Sequence, residues 1–305
     1  MTLANPLLSL TCHRVITRFG EHGRIRGAAF NKLMTLLNRR LLHERTEQRL
    51  DIGLPHCWYL FGDEVVPWEL PQEVRFEPQQ APVQKTVFRW EGMGVSLQEP
   101  HEWAAKRVGE EVDRLEREFG NPVDLTAIVD EVYDGAPFPF QVAFLKFRRR
   151  LVDRSDYWKF EQPVEGILLP LFDLAMDQFP YRDFPELITL AHQYKRLTRY
   201  ALELKLHALD YAASFTEEFW QAYCYFLRIH PQGHQNVSES RLINWKRTAY
   251  EFLPSVGPKL TAAAGELVTN LDPTIDPLDR AALIGSDWGK GSERASEEVH
   301  SIVYQ

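Results

Sequence analysis

Apolar residues recur at helical intervals along most of the chain, and the clearest early run is Phe30, Met34, Leu37 and Leu41, at steps of four, three and four. That period predicts an amphipathic helix over residues 28–43, with Lys32, Arg39 and His43 on the opposite, outer side. A preceding helix is expected over 3–19, with Leu7, Leu10, Val15 and Phe19 turned inward. Gly20-Glu21-His22-Gly23 ends it, because glycine accepts the positive φ of a helix stop. From Gly53 the residue types change. Cys57-Trp58-Tyr59-Leu60-Phe61 and Val65-Val66 read as strands either side of a Gly62-Asp63-Glu64 hairpin loop. Residues 74–76 and 83–90 read as a second pair around a loop holding Pro78 and Pro82.

After Gly92-Met93-Gly94 the pattern turns helical and stays so. Helices are expected over 102–119, closed by Gly120-Asn121-Pro122, over 125–133, and from Pro137-Phe138-Pro139 to about 152. An apolar stretch follows at 164–176, then the longest helix at 185–211, and others at 216–229, 239–252 and 258–270. No repeat period links them. The fold class expected is mainly α: an N-terminal α+β winged-helix-like module over residues 1–95, then an all-α helical domain over 96–270. Residues 271–305, with the linker-like run Gly285-Ser286-Asp287-Trp288-Gly289, are expected to form a mobile or docking tail.

Charge changes this picture more than composition does. The chain of 305 residues carries a net −8, yet residues 1–50 hold nine basic and three acidic side chains, a balance of +6 that leaves −14 for the rest. Such asymmetry points to a local polyanion site or to a solvated basic helical face. The six residues that would form the site are Arg24, Arg26, Lys32, Arg39, Arg40 and Arg89. In a winged-helix reading, Lys32 and Arg39 face a DNA groove and a hairpin acts as wing over the backbone. Asp63 and Glu64 at the first hairpin tip would repel phosphate, so Arg89 and the loop at 79–82 take that role instead, or the module binds protein. The 25 arginines against 10 lysines suit phosphate forks, though a GC-rich coding sequence produces the same bias.

Other chemistry is thinly signalled. Cys12, Cys57 and Cys224 are too far apart for a zinc ribbon and read as reduced core thiols, which with the lack of a basic start before the N-terminal leucines suggests a cytoplasmic protein. The longest apolar run, 166–176, falls far short of the roughly 20 residues of a membrane span. Phe147-Arg148-Arg149-Arg150 reads as a solvated helix end. His192, Arg196, Arg199, Glu203, His207 and Asp210 share one helix face, and His230 and His234 flank a short loop. A metal-dependent enzyme built from these is the weakest alternative, since no His-Glu-x-x-His, phosphate loop or Gly-x-Ser-x-Gly occurs. The expected function is therefore non-enzymatic and without cofactor: nucleic-acid binding or regulation through the basic module, with double-stranded DNA as partner. The principal alternative is a protein-interaction subunit. In either case the helical half, with Tyr157, Trp158, Trp220, Tyr223 and Tyr225, would contact a protein partner or a second copy.

Overall fold

Helix α1 (Pro6–Phe19) begins where Asn5 accepts a hydrogen bond from the Leu8 N–H and Pro6 takes the first helical position, an arrangement that satisfies one orphan donor and wastes none. The computed structural model describes residues 5–43, 49–78, 86–95, 101–152, 164–204 and 208–271. The loop at 79–82, Tyr157, Trp158, His207 and the tail with Trp288 lie outside the described residues. Two compact units are present, Met1–Ala136 with Pro231–Glu239, and Pro137–His230 with Ser240–Gln305.

In the first unit, β1 (Arg24–Arg26) leads directly into α2 (Gly27–His43). This helix packs against α1, against α3 (Glu102–Phe119) and α4 (Leu125–Tyr133), and against strands of both sheets. It is consequently buried around almost its whole circumference: Lys32, Thr35 and Asn38 are as enclosed as Phe30, Leu33 and Leu37. The expected basic outer face of this helix is thus corrected. A helix surrounded on all sides has no solvated stripe, and its polar residues must find partners inside. The composition shift near residue 95 follows the fifth strand, whereas the compact unit continues through α3 and α4.

Two small antiparallel sheets complete this unit. The first has the order β1–β5–β4, with β4 spanning Val74–Pro78 and β5 Thr86–Trp90. Its register sets Ile25 beside Phe88 and Phe88 beside Phe76 on the core face, where Phe88 stacks on Phe30 at 4.3 Å. Arg24, Arg89 and Arg75 stand side by side on the other face. The second sheet has the order β3–β2–β6. Here β2 (His56–Tyr59) and β3 (Gly62–Val65) pair with Trp58 opposite Asp63, so the chain reverses at Leu60-Phe61. The expected turn at Gly62-Asp63-Glu64 is displaced by two residues, because Asp63 turns inward to His56 instead of capping a loop. Strand β6 (His234–Gln235), expected only as a loop, adds to β2 and is held further by Trp58 N–H donating to Gly233 O at 2.7 Å.

The second unit is helical among its described residues except for the turns between helices. It holds α5 (Pro139–Val152), α6 (Leu169–Asp177), α7 (Ile188–Glu203), α8 (Leu209–Leu227) and α9 (Glu239–Leu271). Aromatic rings fill its core: Phe144 stacks on Trp220 at 4.9 Å and Tyr194 on Phe219 at 4.2 Å. The Tyr194 hydroxyl, 3.1 Å from Thr216 Oγ1, keeps its polar end satisfied as buried tyrosines require. Two helix limits differ from expectation. Helix α7 stops at Glu203 and α8 starts seven residues early, since Leu209, Ala212 and Phe215 extend the inward stripe of Phe219. Helix α9 runs through Pro254 and Pro258; each removes a backbone donor, but the buried stripe Ala249, Leu253, Val256, Leu260, Ala264 and Leu267 continues unbroken across them. No helix among the described residues is long and apolar enough to cross a membrane.

Candidate functional site

The six basic residues singled out by charge do not form one surface. Lys32 is 3% exposed, and its ammonium donates to Phe61 O and, at 2.9 Å, to Asp63 O. Those carbonyls flank the start of β3, the free edge of its sheet, so the lysine seals an edge that would otherwise be unpaired. Gly62, at φ +94°, makes this approach possible: a Cβ there would lie 2.8 Å from the Tyr133 ring and 3.2 Å from Lys32 Nζ. Burial lowers the Lys32 pKa from its ordinary value, opposed by Glu64 and Asp63. Burial likewise raises that of Glu64, opposed by Lys32. Each charge thus opposes the neutralising effect of burial on the other.

Arg39 and Arg40, one turn from the end of α2, are also engaged inside the unit. Arg39 donates to Val132 O at 2.8 Å and to Glu131 O, in the last turn of α4, where Val132 O also accepts from the Gly135 N–H. Gly135 leaves the space for its guanidinium. Arg40 contacts Glu118 at 2.6 Å, Glu111 at 3.3 Å and Glu131 at 3.4 Å, and so joins α2 to both α3 and α4. The remaining three lie on the outward face of the first sheet. Arg89 pairs with Glu91 and, at 3.4 Å, with Glu77. Arg24 and Arg26 are exposed and make no side-chain ion pair among the described residues. The sheet adds Arg75 to this group, bound to Glu91 at 2.7 Å. Sequence reasoning passed over Arg75, although it alternates with Phe76 as Arg89 does with Phe88; that alternation was the available signal.

A second feature of this unit centres on His56 of β2. His56 Nδ1 lies 2.7 Å from Asp63 Oδ1, and its Nε2 lies 3.2 Å from Gln235 Oε1. Both neighbours are acceptor oxygens, so the doubly protonated ring satisfies both, tying β3 to β6 through β2. Burial opposes the charge, but the Asp63 carboxylate and the hydrogen bonds from the ring outweigh it and raise the pKa above the ordinary 6.5. A raised histidine stabilises the fold fully below its unfolded pKa, and that contribution disappears as pH rises through the folded one. Urea denaturation of wild type and His56→Gln should therefore differ most below about pH 6.5, and the gap should narrow as pH is raised above it. A gap that stays constant across that rise would refute a charged His56.

The described histidines of the helical half are dispersed into packing. His192 stacks on Tyr181 at 5.5 Å, His230 packs edge-on against Phe138 at 5.2 Å, and Arg199 pairs with Asp173 and Glu203. Arg148 of the triple-arginine run donates to both Glu217 oxygens, at 2.6 and 2.8 Å. Among the described residues no group of three or more potential ligands gathers around a point that could hold a metal ion. The three cysteines are buried and none of them forms a disulfide. No protein-family model matches the chain, and neither a curated protein nor a solved structure with significant similarity to it was found.

Proposed function

We propose that this chain is a non-enzymatic interaction protein whose N-terminal unit meets a protein partner without placing a helix in a DNA groove. The observation that supports this most is the use of Lys32, Arg39 and Arg40 inside the unit, on β3, α3 and α4. A groove-reading helix needs its basic side chains outside. Between α2 and β4, moreover, the described residues form the β2–β3 hairpin and one 3₁₀ turn at Pro67–Glu69, with no further α-helix. The exposed apolar residues Ile167, Leu174 and Ile243 of the helical unit support a partner or a second copy there. The buried thiols support a reducing, cytoplasmic setting.

Duplex DNA tests the reading directly. Fluorescence anisotropy with a labelled duplex, titrated with the full chain from roughly 20 to 200 mM salt, should give no saturable binding at any concentration of salt. Binding that tightens steeply as salt falls would replace the proposal with polyanion recognition, the second reading, which the exposed Arg24 and Arg26 favour.

A further inference from the structure

The outward face of the β1–β5–β4 sheet carries an unusual row. Register places Arg24 beside Arg89 and Arg89 beside Arg75, and residues so paired hold their side chains on one face, roughly 5 Å apart. Like charges directly opposite one another are unfavourable, so such a row needs anions between its members. One gap has its anion. Glu91 bonds Arg75 and Arg89 together, and those two guanidiniums hold its carboxyl below the ordinary value. The other gap, between Arg24 and Arg89, has none among the described residues. Glu21 pairs with Arg24 through the backbone across the His22-Gly23 turn, but its carboxylate forms no ion pair with it. Arg89 Nε, shielded from solvent, has no hydrogen-bond partner. Arg26 continues the exposed positive edge along β1.

We propose that this face binds an acidic segment of a partner protein, one carboxylate entering the Arg24–Arg89 gap as Glu91 enters the gap beside it, and a second reaching Arg26. The proposal rests on the protein-partner reading above and names the chemistry of that partner. Planar guanidiniums pair with carboxylates in a forked geometry, and Glu91 displays that pairing within the row itself. Carboxylates delivered singly suit the site better than a phosphate backbone does. Glu77 and Glu91 share the face with the arginines, and the evenly charged backbone of a stiff duplex crossing it would meet both, whereas a flexible acidic peptide can set its carboxylates at the arginines alone.

A fluorescein-labelled octaglutamate peptide, titrated with the full chain at low salt, is the probe. Saturable binding is expected, weakened about tenfold or more in Arg24→Glu/Arg26→Glu, because two attractive contacts become repulsive. Glu91→Gln frees the occupied gap and should tighten binding by about threefold, a gain that loss of structure could not produce. Arg247→Glu, on exposed α9, should leave it unchanged. Octaglutamate binding that is absent, or indifferent to Arg24, Arg26 and Glu91, would overturn this surface and leave the protein-partner reading standing. Displacement of the peptide by duplex DNA, with DNA binding lost in Arg24→Glu/Arg26→Glu, would overturn both.

Discussion

Lys32→Ala should lower the stability of the protein by about 2–4 kcal/mol, because it strips the donor from two enclosed carbonyls. The ammonium donates to Phe61 O and Asp63 O, and its own 3% exposure leaves little room for water to replace it. Lys32→Met retains the volume of the aliphatic stem and should recover only the packing part of the loss, leaving the unpaired carbonyls. Equilibrium urea denaturation checks this through a shift in midpoint at constant slope. A midpoint within error of wild type would mean that Lys32 is not the seal of the β3 edge. Removal of the exposed Arg24 should, by contrast, cost under about 0.5 kcal/mol. The comparison matters for function. A Lys32 variant that fails in any binding assay has lost structure, whereas an Arg24 variant that fails has lost a contact.

How much of this was legible in the sequence depended on what each residue's position could reveal. The helices α3 and α4 lie at the limits expected for them: Gly120 announces the stop of the first, and in the structure Asp124 accepts from the Thr126 and Ala127 N–H groups to cap the second. The division into an N-terminal part with strands and a helical part followed from residue type in the same way. Charge was less informative. Lys32, Arg39 and His43 look alike on a helical wheel, yet whether such a residue is solvated or enclosed depends on what packs over it. For α2 that cover is α3 and α4, some 60 to 100 residues further along the chain. A period of 3.6 reports one apolar face; it is silent on whether the other face is covered too. Strand β6 was hidden for a related reason, since two residues carry no alternation and its partner lies nearly 180 positions away.

Arg40→Ala should be the more damaging of the two substitutions on α2, at about 3–5 kcal/mol, since it breaks a buried ion pair from one side. Glu111 is 1% exposed, and without Arg40 it retains only Arg114, at 3.0 Å, against its carboxylate. The pairs to Glu118 and Glu131 matter less, because those carboxylates are more than 40% exposed and water screens them. The guanidinium also lies over the Phe119 ring at 5.8 Å, so alanine removes packing as well as charge. Arg40→Lys keeps the charge and loses the fork that reaches α3 and α4 at once, and should fall between wild type and alanine. The decisive measurement is a double-mutant cycle with Glu111→Gln. If the cost of Arg40→Ala arises from a stranded carboxylate, the double variant should be more stable than the sum of the single losses allows, by about 1 kcal/mol or more. Strict additivity would assign the loss to packing on Phe119 instead. Either value fixes how firmly α2 is tied to α3 and α4, and with it whether Arg40 could ever be released to an outside anion.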